Sequence, residues 1–394
     1  MNNQFVFSLL CATARRKGML GVCLALCALG PGLPANAQDR DGAIITFDAP
    51  GAATVNSPAC APLCGTIAYA NNDLGMIVGY YTDANVVTHG FLREPNGHII
   101  SFDAPGAGLG AGLAQGTAAY AITDQSVIVG VYEDSNYVYH GFVRYPDGAF
   151  DTFDAPNAGT GAYQGTEAWD INWAGTTAGV YIDGSGIYHG FVRSPRGKFT
   201  TFDPPGSIFT YPCEETCLSP DGTITGFYLD SDDTYHGFVR KPDGNITTFD
   251  APGAAPGGYN GTMAASIAAG AITGSFVDAN DLVHGFLRAP DGAFTTFDDP
   301  AASNGVYQGT AGYSLNASRT VTGVYLDATY ASHGFTRFPD GSYANFDAPG
   351  AGTSGALKGT RPSTNNQQGV VAGWYWDENG LGHGFLWIPR PPFN

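Results

Sequence analysis

The sequence predicts an all-β protein: a seven-bladed β-propeller of four-stranded antiparallel blades. Repeats of about 40 to 50 residues rich in strand signals are typical of propeller blades, because one such unit cannot bury both of its faces alone. Each repeat alternates Val, Ile, Tyr, Phe and Thr between Gly, Asn, Asp and Pro clusters, without helical periodicity. The tripeptide His-Gly-Phe occurs seven times, beginning at His89, His140, His189, His236, His284, His333 and His383.

Each copy contains segments for four strands. In the second copy these carry Gly116-Thr117, then Tyr132-x-Asp134, then His140-Gly141-Phe142, then Phe153-Asp154. The Gly-Thr segment has the smallest side chains, so we expect it to line the crowded axis as the innermost strand, with the Phe-Asp strand outermost. The connection after the Phe-Asp strand and the turn after Tyr-x-Asp then emerge on one shared face.

The two ends of the chain predict how the ring closes. Residues 44–50 form an extra copy of the Phe-Asp strand, whereas the last copy ends after His383-Gly384-Phe385 and lacks that strand. We therefore expect the N-terminal strand to complete the last blade. This exchange would hide the strand edges that otherwise favour aggregation.

The hairpin between the third and fourth strands predicts a set of His–Asp pairs. A type I turn at Pro146-Asp147-Gly148, followed by a left-handed glycine, pairs Tyr145 with Ala149 and places His140 opposite Asp154. The same count pairs His89 with Asp103, His189 with Asp203, His236 with Asp250, His284 with Asp298, His333 with Asp347 and, across the two chain ends, His383 with Asp48. Histidine with a carboxylate suits catalysis or metal binding. A motif present in every blade is better explained as a structural cross-strand pair.

Other repeated charges have structural interpretations too. Six repeated arginines are predicted to be structural cations that extend to solvent or pair with neighbouring carboxylates: Arg93, Arg144, Arg193, Arg240, Arg288 and Arg337. The aspartates after the second strand are predicted to cap turns: Asp83, Asp134, Asp183, Asp230, Asp278, Asp327 and Asp377. Calcium is the alternative for those aspartates, but no dense Asp-x-Asp-x-Asp loop is present, so no cofactor or metal site is predicted.

Residues 1–37 have the features of a cleaved signal peptide. Arg15, Arg16 and Lys17 precede an apolar run, and Ala35-Asn36-Ala37 forms a small-residue cleavage site. We expect residues 38–394 to form a single domain, secreted or periplasmic and monomeric. The chain has 17 basic and 35 acidic residues, and three of the basic ones lie in the signal segment, which leaves a charge of −21. Such a charge disfavours nucleic acid and anionic membranes.

Four cysteines remain after cleavage: Cys60, Cys64, Cys213 and Cys217. Their even number and an oxidising destination favour disulfides, most simply Cys60 with Cys64 and Cys213 with Cys217. A zinc site made from both pairs, pairing between blades, or free thiols are the alternatives.

The repeat, for example His383-Gly384-Phe385-Leu386-Trp387, resembles the extracellular repeat family named for its His-Ala-Phe motif, with Gly in place of Ala in all seven copies. The resemblance covers residues 44 to 389. It implies a secreted bacterial repeat protein and supplies no reaction or catalytic residues.

Function is expected where the blades differ. Tyr beside Gln or Asn offers a stacking surface with amide hydrogen bonds, which suits sugar rings or the exposed loop of a partner protein. The alternative is that these tyrosines only plug the channel. The candidate ligand-binding residues precede the Gly-Thr strands: Gln115, Tyr163, Gln164, Tyr211, Tyr259, Asn260, Tyr307, Gln308 and Lys358.

The first functional hypothesis is therefore a secreted, non-catalytic module that binds a glycan or protein through this face. A polysaccharide lyase or glycosidase acting in the central funnel is the second hypothesis, and a structural envelope or matrix component is the third. An enzyme of the second kind needs two nearby carboxyl groups, one with a raised pKa. No unrepeated pair of acids is evident at the expected positions, and no catalytic residue is predicted.

Overall fold

The chain folds entirely into β-structure. The computed structural model describes residues 42–56, 64–111, 115–212, 216–356 and 358–390, and these contain 28 strands and no helix. Accordingly, none of the described residues forms a helix long and apolar enough to cross a membrane. The predicted signal segment lies outside the described residues.

Apart from β1 (Ala43–Phe47), the strands repeat in fours along the chain, and we number the units in that order. The first strands of units one to seven are β2 (Gly65–Asn71), β6 (Gly116–Ile122), β10 (Gly165–Ile171), β14 (Ser207–Tyr211), β18 (Asn260–Ala268), β22 (Gly309–Leu315) and β26 (Gly359–Asn365). The second strands are β3 (Ile77–Thr82), β7 (Ile128–Glu133), β11 (Thr177–Ile182), β15 (Ile224–Asp230), β19 (Ala271–Val277), β23 (Val321–Leu326) and β27 (Val371–Trp376). The third strands are β4 (Thr88–Arg93), β8 (Tyr139–Arg144), β12 (Tyr188–Arg193), β16 (Thr234–Arg240), β20 (Val283–Arg288), β24 (Ser332–Arg337) and β28 (Gly382–Ile388). The fourth strands of units one to six are β5 (Ile99–Phe102), β9 (Phe150–Phe153), β13 (Phe199–Phe202), β17 (Ile246–Phe249), β21 (Phe294–Phe297) and β25 (Tyr343–Phe346).

Within a unit the four strands pair antiparallel in sequence order. In the second unit the N–H of Gly148 donates to the carbonyl of Tyr145, and Gly148 has a φ of 87°. The N–H of Tyr145 donates to the carbonyl of Ala149, and Gly141 pairs with Phe153. The predicted hairpin register is therefore confirmed.

Neighbouring units meet along their first strands. β2 contacts β6, β6 contacts β10, and β26 contacts β2, so first strands lie side by side while fourth strands are outermost in their units. The start of each first strand also pairs parallel with the third strand of the unit before it, as Gly116 does with Thr88. Gly116 has a φ of 136°, and a Cβ there would overlap the Thr88 carbonyl oxygen. This close approach explains the repeated glycine.

The seventh unit takes its fourth strand from the other end of the chain. β1 pairs antiparallel with β28, from Ala43 opposite Ile388 to Phe47 opposite Gly384. The Nδ2 of Asn366 donates to the carbonyl of Asn72, 3.1 Å away, so the last and first units are also joined through their turns.

The phenylalanine that ends each fourth strand packs against two units. A Cβ on Gly141 would lie 2.5 Å from the ring of Phe153, so the glycine of His-Gly-Phe makes room for the ring of its own unit. The same ring lies 4.4 Å beneath the guanidinium of Arg193 in the next unit, and cation–π contacts of 4.4 to 5.1 Å recur in six units. In the seventh unit Trp387 replaces the arginine and stacks on Phe346 at 5.0 Å. The repeated arginines thus stack on rings, and Arg93, Arg193 and Arg240 are buried rather than extended to solvent. Nη2 of Arg193 also pairs with a carboxylate, 2.6 Å from Oδ2 of Asp151.

We predict that Phe47→Ala destabilises the protein as much as the internal substitution Phe102→Ala does. Both rings meet a phenylalanine and an arginine of the following unit, at 6.1 Å and 4.8 Å for Phe47 and at 6.3 Å and 4.7 Å for Phe102. Each substitution should lower the free energy of unfolding by about 3 kcal/mol in urea denaturation. A Phe47→Ala effect below about a third of the Phe102→Ala effect would contradict the structural equivalence of β1 with the other fourth strands.

Candidate functional site

The seven predicted His–Asp pairs are all present. Nδ1 of each histidine lies 2.8 to 2.9 Å from an oxygen of its partner, including His383 and Asp48. In six units Nε2 faces a second carboxylate at 3.1 to 3.8 Å, that of the aspartate after the second strand. The imidazole also packs on a Tyr or Phe ring 4.8 to 5.1 Å away. Both ring nitrogens are therefore engaged by the fold in those six units.

The second carboxylate of each set caps a turn, as predicted. Oδ1 of Asp134 accepts the N–H of Asn136 at 2.8 Å and that of Val138 at 2.9 Å, and the other six units repeat this pattern. Within the described part of the chain, no group of three or more His, Cys, Asp or Glu side chains is arranged to hold a metal ion.

In five of the seven units these surroundings raise the pKa of the histidine and so favour its protonated form. The hydrogen bond to Asp154 raises the pKa of His140 against the lowering effect of burial, and the charges of Asp154 and Asp134 raise it further. The pKa values of His89, His333 and His383 are raised in the same way. The arrangement of an imidazole between two carboxylates recurs in six units, so it marks no single reactive site.

The candidate ligand-binding residues divide into buried and half-exposed groups. Gln115, Tyr211, Asn260 and Gln308 are buried. Oε1 of Gln308 accepts the N–H of Gly305 at 2.9 Å, and Nδ2 of Asn260 donates to Asp281 at 3.1 Å. Because these four side chains face the interior, we leave them out of the proposed contact surface.

Two further candidates are engaged by neighbouring groups. Oε1 of Gln164 accepts the N–H of Gly161 at 3.0 Å and its Nε2 donates to the carbonyl of Gly184 at 3.2 Å. Nζ of Lys358 lies 3.2 Å from a carboxylate oxygen of Glu378 and also donates to that residue's carbonyl. Both side chains hold loops of their own unit together.

Tyr163, Tyr259 and Tyr307 remain half-exposed and share an unusual backbone. Their φ angles are 62°, 64° and 54°, in the left-handed region where bulky residues are uncommon. Each N–H donates to a carbonyl in a turn of the preceding unit, for example from Tyr163 to Tyr137 at 2.6 Å. Glycine would suit this backbone better, so tyrosine is retained at a conformational cost.

These tyrosines lie on the loop face, which we define as the edge where fourth strands connect to the next first strand and second strands turn into third strands. Val55, Leu109 and Val306, on the same connections, each expose more than half of their surface. Leu74 and Trp173, on the turns between first and second strands at the opposite edge, are exposed to a similar extent, so exposed apolar side chains alone do not distinguish the loop face.

The units differ in size and charge at the residue that follows the repeated threonine of the first strand. This position contains, from unit one to seven, Ile67, Ala118, Glu167, Tyr211, Met263, Ala311 and Arg361, all in one register with their second strands. Nη2 of Arg361 donates to the hydroxyl of Tyr313 at 2.8 Å, beside the rings of Trp374 and Trp376. The surface lined by the first strands is therefore asymmetric in charge.

Glu167 has a second unrepeated acid beside it. Glu133 ends β7, opposite Gly116, where the other units have Thr82, Ile182, Leu229, Val277, Leu326 and Trp376. Burial raises the pKa of Glu133 to about 8, and the nearby charge of Glu167 contributes to the shift. Burial likewise raises the pKa of Glu167 to about 7. The prediction that no unrepeated acid pair is present concerned only the mouth positions, whereas Glu133 and Glu167 lie within β7 and β10. Comparing the repeats position by position would have revealed both residues.

Aromatic residues are strand neighbours of both acids. Tyr139 is the cross-strand neighbour of Glu133, and burial followed by the charges of Glu167 and Glu133 raises its pKa well above the usual value. Trp169, two residues after Glu167, stacks on Tyr120 at 4.3 Å. Oε1 of Glu133 is buried without a hydrogen-bond partner among the described residues.

The third buried acid of this region has a structural role. Oδ2 of Asp170 accepts the N–H of Leu218 at 2.9 Å, and Oδ1 accepts the N–H of Ile171 at 2.7 Å. Burial raises the pKa of Asp170 to about 6 although these hydrogen bonds lower it. Its carboxyl joins the third unit to the fourth, whose first strand is short.

Cys64 and Cys217 are both fully buried and disulfide-bonded. Their predicted partners, Cys60 and Cys213, lie outside the described residues, so the pairing stays a prediction.

Comparison with known proteins supports the fold. No family model matches the chain, and no curated protein matches it. It is similar to a solved structure of streptogramin B lyase, with a TM-score of 0.52 and 12% identity over 88% of this chain and 98% of that one. A puromycin hydrolase variant has a TM-score of 0.50 and 14% identity over 86% of this chain, which spans 57% of that protein. The BP39L lectin from Burkholderia pseudomallei has a TM-score of 0.49 and 11% identity over 82% of this chain and 98% of the lectin.

At these identities the likeness shows the fold alone, an all-β propeller-type architecture. The similar proteins are enzymes and a lectin, so their names do not decide between catalysis and binding.

The buried acids and histidines predict that stability falls as pH rises from about 5 to about 9. A histidine with a raised pKa stabilises the fold below about pH 6.5, and that contribution is lost as pH rises through the folded-state pKa. Glu133 and Glu167 act in the same direction, because their folded forms hold a proton up to a pKa of about 8 and about 7. Urea denaturation at constant ionic strength measures this; a flat or rising curve would contradict it.

We also predict that Glu133→Leu stabilises the protein. Leucine occupies this position in the fourth and sixth units, and the substitution removes an unpartnered buried carboxyl. The free energy of unfolding at about pH 9 should rise by about 1 to 3 kcal/mol. The reciprocal change, Leu229→Glu, is the matched control and should destabilise the fourth unit. A lower stability for Glu133→Leu would show that the carboxyl is satisfied in the fold.

Proposed function

We propose that this protein is a secreted, non-catalytic binding module that takes a glycan or protein ligand on its loop face. The half-exposed tyrosines Tyr163, Tyr259 and Tyr307 support this most directly, because each is retained where the backbone favours glycine. Flat, amphipathic rings of this kind stack on sugars and on protein loops at low entropic cost.

The same proposal includes a closed seven-bladed propeller, with the N-terminal strand completing the last blade. Three contacts between the ends of the chain support it: β1 with β28, β2 with β26, and Nδ2 of Asn366 with the carbonyl of Asn72 at 3.1 Å. In such a ring the tyrosines surround the mouth of the central channel. The mouth would then be shared by units that differ in sequence, which gives a ligand distinct contacts on each side.

Export is part of the proposal. It rests on residues 1–37, on the resemblance to extracellular His-Ala-Phe repeats, and on disulfide-bonded Cys64 and Cys217. Disulfides persist in oxidising compartments, so they agree with a secreted or periplasmic location.

An enzyme is the second candidate, favoured by one observation. Glu133 and Glu167 are adjacent carboxyl groups whose pKa values are raised, a property that a general acid requires. A glycosidase or polysaccharide lyase would use such a pair to protonate a leaving group or remove a proton. We rank binding first because seven units contribute to the loop face and two contribute the acid pair.

A glycan array on the mature protein tests the binding proposal. We expect binding that is lost when Tyr163, Tyr259 and Tyr307 are changed together to Gly, because the stacking rings are removed while the left-handed backbone is relieved. The triple variant should keep its melting temperature, so lost binding cannot be attributed to unfolding. Tyr145→Ala, an exposed tyrosine on the opposite hairpins, is the matched control and should leave binding unchanged.

Binding that is indifferent to the three tyrosines would overturn the proposal. The absence of any glycan or protein ligand would favour a structural envelope or matrix component. Release of shorter sugars from any arrayed polysaccharide, lost in Glu133→Gln or Glu167→Gln, would establish the enzyme instead.

A further inference from the structure

Two of the strained tyrosines have an aspartate as their partner in the turn of the preceding unit. The N–H of Tyr259 donates to the carbonyl of Asp233 at 2.8 Å, and the N–H of Tyr307 donates to the carbonyl of Asp281 at 2.6 Å. Both aspartates also have a left-handed backbone, with φ angles of 58° and 60°. A half-exposed ring and a half-buried carboxylate therefore belong to directly bonded residues at two successive junctions between units.

A side-chain hydrogen bond joins these two junctions across the fifth unit. Asn260 follows Tyr259 in the chain, and its Nδ2 donates to Oδ1 of Asp281 at 3.1 Å. The orientation of this amide follows from its partner, because an ionised carboxylate only accepts hydrogen bonds. The contacts thus run without a break through Asp233, Tyr259, Asn260, Asp281 and Tyr307.

The third strained tyrosine has different surroundings. The N–H of Tyr163 donates to the carbonyl of Tyr137, and the rings of the two tyrosines lie 5.5 Å apart. This junction pairs two rings and has no aspartate at the corresponding position of the turn. It therefore provides an internal comparison for the two junctions that combine a ring with a carboxylate.

Apart from the phenol groups, the polar side-chain groups left free along this chain of contacts are acceptors. Among the described residues, no donor reaches the carboxylate of Asp233, and the carboxylate of Asp281 accepts only from Asn260. Asn260 is 9% exposed, and its Oδ1 is buried without a hydrogen-bond partner in the described part of the chain. A ligand that satisfies these groups must bring hydrogen-bond donors.

The charge of the loop face limits the ligand further. The described connections and turns of this face contain one basic residue, Lys358, whose Nζ lies 3.2 Å from a carboxylate oxygen of Glu378. An acidic ligand would meet the carboxylates of Asp233 and Asp281 without a free cation to balance its charge. Hydroxyl groups donate hydrogen bonds without adding negative charge, so a neutral sugar fits both requirements.

We propose that these two junctions form adjacent subsites for neutral sugars, one at Asp233 and Tyr259 and the other at Asp281 and Tyr307. The inference rests on the proposed function and specifies the class of glycan. In each subsite a sugar hydroxyl donates to the carboxylate, a bond stronger than one between neutral groups, while the apolar face of the sugar lies on the tyrosine ring. Asn260 is a positioning residue that holds Asp281 toward the first subsite.

Matched neutral and acidic sugars test the charge of the ligand. The methyl glycosides of glucose, galactose and mannose differ from those of the corresponding uronic acids only in the carboxylate at C6. In ligand-observed NMR titrations of the mature protein at neutral pH, at least one neutral glycoside should bind. Its uronic acid counterpart should bind at least about tenfold more weakly, because its carboxylate would lie beside those of the protein.

Asp233→Asn combined with Asp281→Asn tests the carboxylates. Asparagine tolerates the left-handed backbone as aspartate does, so both turns should be retained. The double variant should bind the neutral glycoside about tenfold more weakly, because two charge-assisted hydrogen bonds are lost. Asp232→Asn combined with Asp291→Asn is the matched control. It removes the same charge from two exposed positions outside the subsites and should leave the affinity unchanged.

The tyrosines should separate in the same titration. Tyr259→Gly combined with Tyr307→Gly should abolish glycoside binding, since the stacking rings are removed from both subsites. Tyr163→Gly should leave the glycoside affinity unchanged, because its junction has no carboxylate. If the asparagine variant fails to fold, the tyrosine variants and the comparison of neutral with acidic glycosides in the unaltered protein still decide the matter.

Uronic acid glycosides that bind as tightly as their neutral counterparts would overturn the neutral-sugar subsites. Equal binding by the asparagine variant and its control, or no binding of any of the three neutral glycosides, would do the same. Array binding that depends on the three tyrosines but not on Asp233 and Asp281 would refute this inference and leave the proposed function standing. Failure of both the array and the glycoside titrations would refute both.

Discussion

The phenylalanine at the end of each fourth strand is the contact on which the repeat depends. Phe102 lies on Gly90 of its own unit and meets Phe142 and Arg144 of the next. Each unit must bury one face against its neighbour, and the phenylalanine ring provides this contact because it packs against residues of both units. The glycine of His-Gly-Phe, the arginine two residues after Phe142, and the strand exchange that brings Phe47 to the end of the chain all follow from that requirement.

The His–Asp pairs are repeated in every unit and the acid pair is not, and this difference distinguishes side chains that the fold requires from side chains that it does not. Each histidine is held by hydrogen bonds to carboxylates and by a ring face, and all seven units need this arrangement equally. Glu133 and Glu167 instead occupy positions where the other units have different side chains, and no hydrogen bond satisfies Oε1 of Glu133 within the described residues. A group retained once against the demands of packing is better explained by a ligand than by the fold.

Local geometry explains how much of this could be predicted from the sequence. The pairing of His140 with Asp154 follows from counting outward from a tight turn, and the exchanged strand follows from one surplus and one missing copy of the same motif. The site was harder, because burial depends on contacts between units. Gln308 was expected at the surface, yet its amide closes its own loop, and Glu133 becomes a neighbour of Glu167 only once the second strand of one unit is placed against the first strand of the next.

Stability and binding therefore make opposite demands on this protein. The five histidines with raised pKa values stabilise the fold when protonated, and Glu133 destabilises it when ionised, so both favour mildly acidic conditions. A ligand that bound only the ionised form of Glu133 and Glu167 would meet the protein in the pH range where the free fold is less stable, and its binding would offset part of that loss. The strained tyrosines of the loop face and the unsatisfied carboxyl of Glu133 both destabilise the free protein. Only ligand binding offsets this cost to folding.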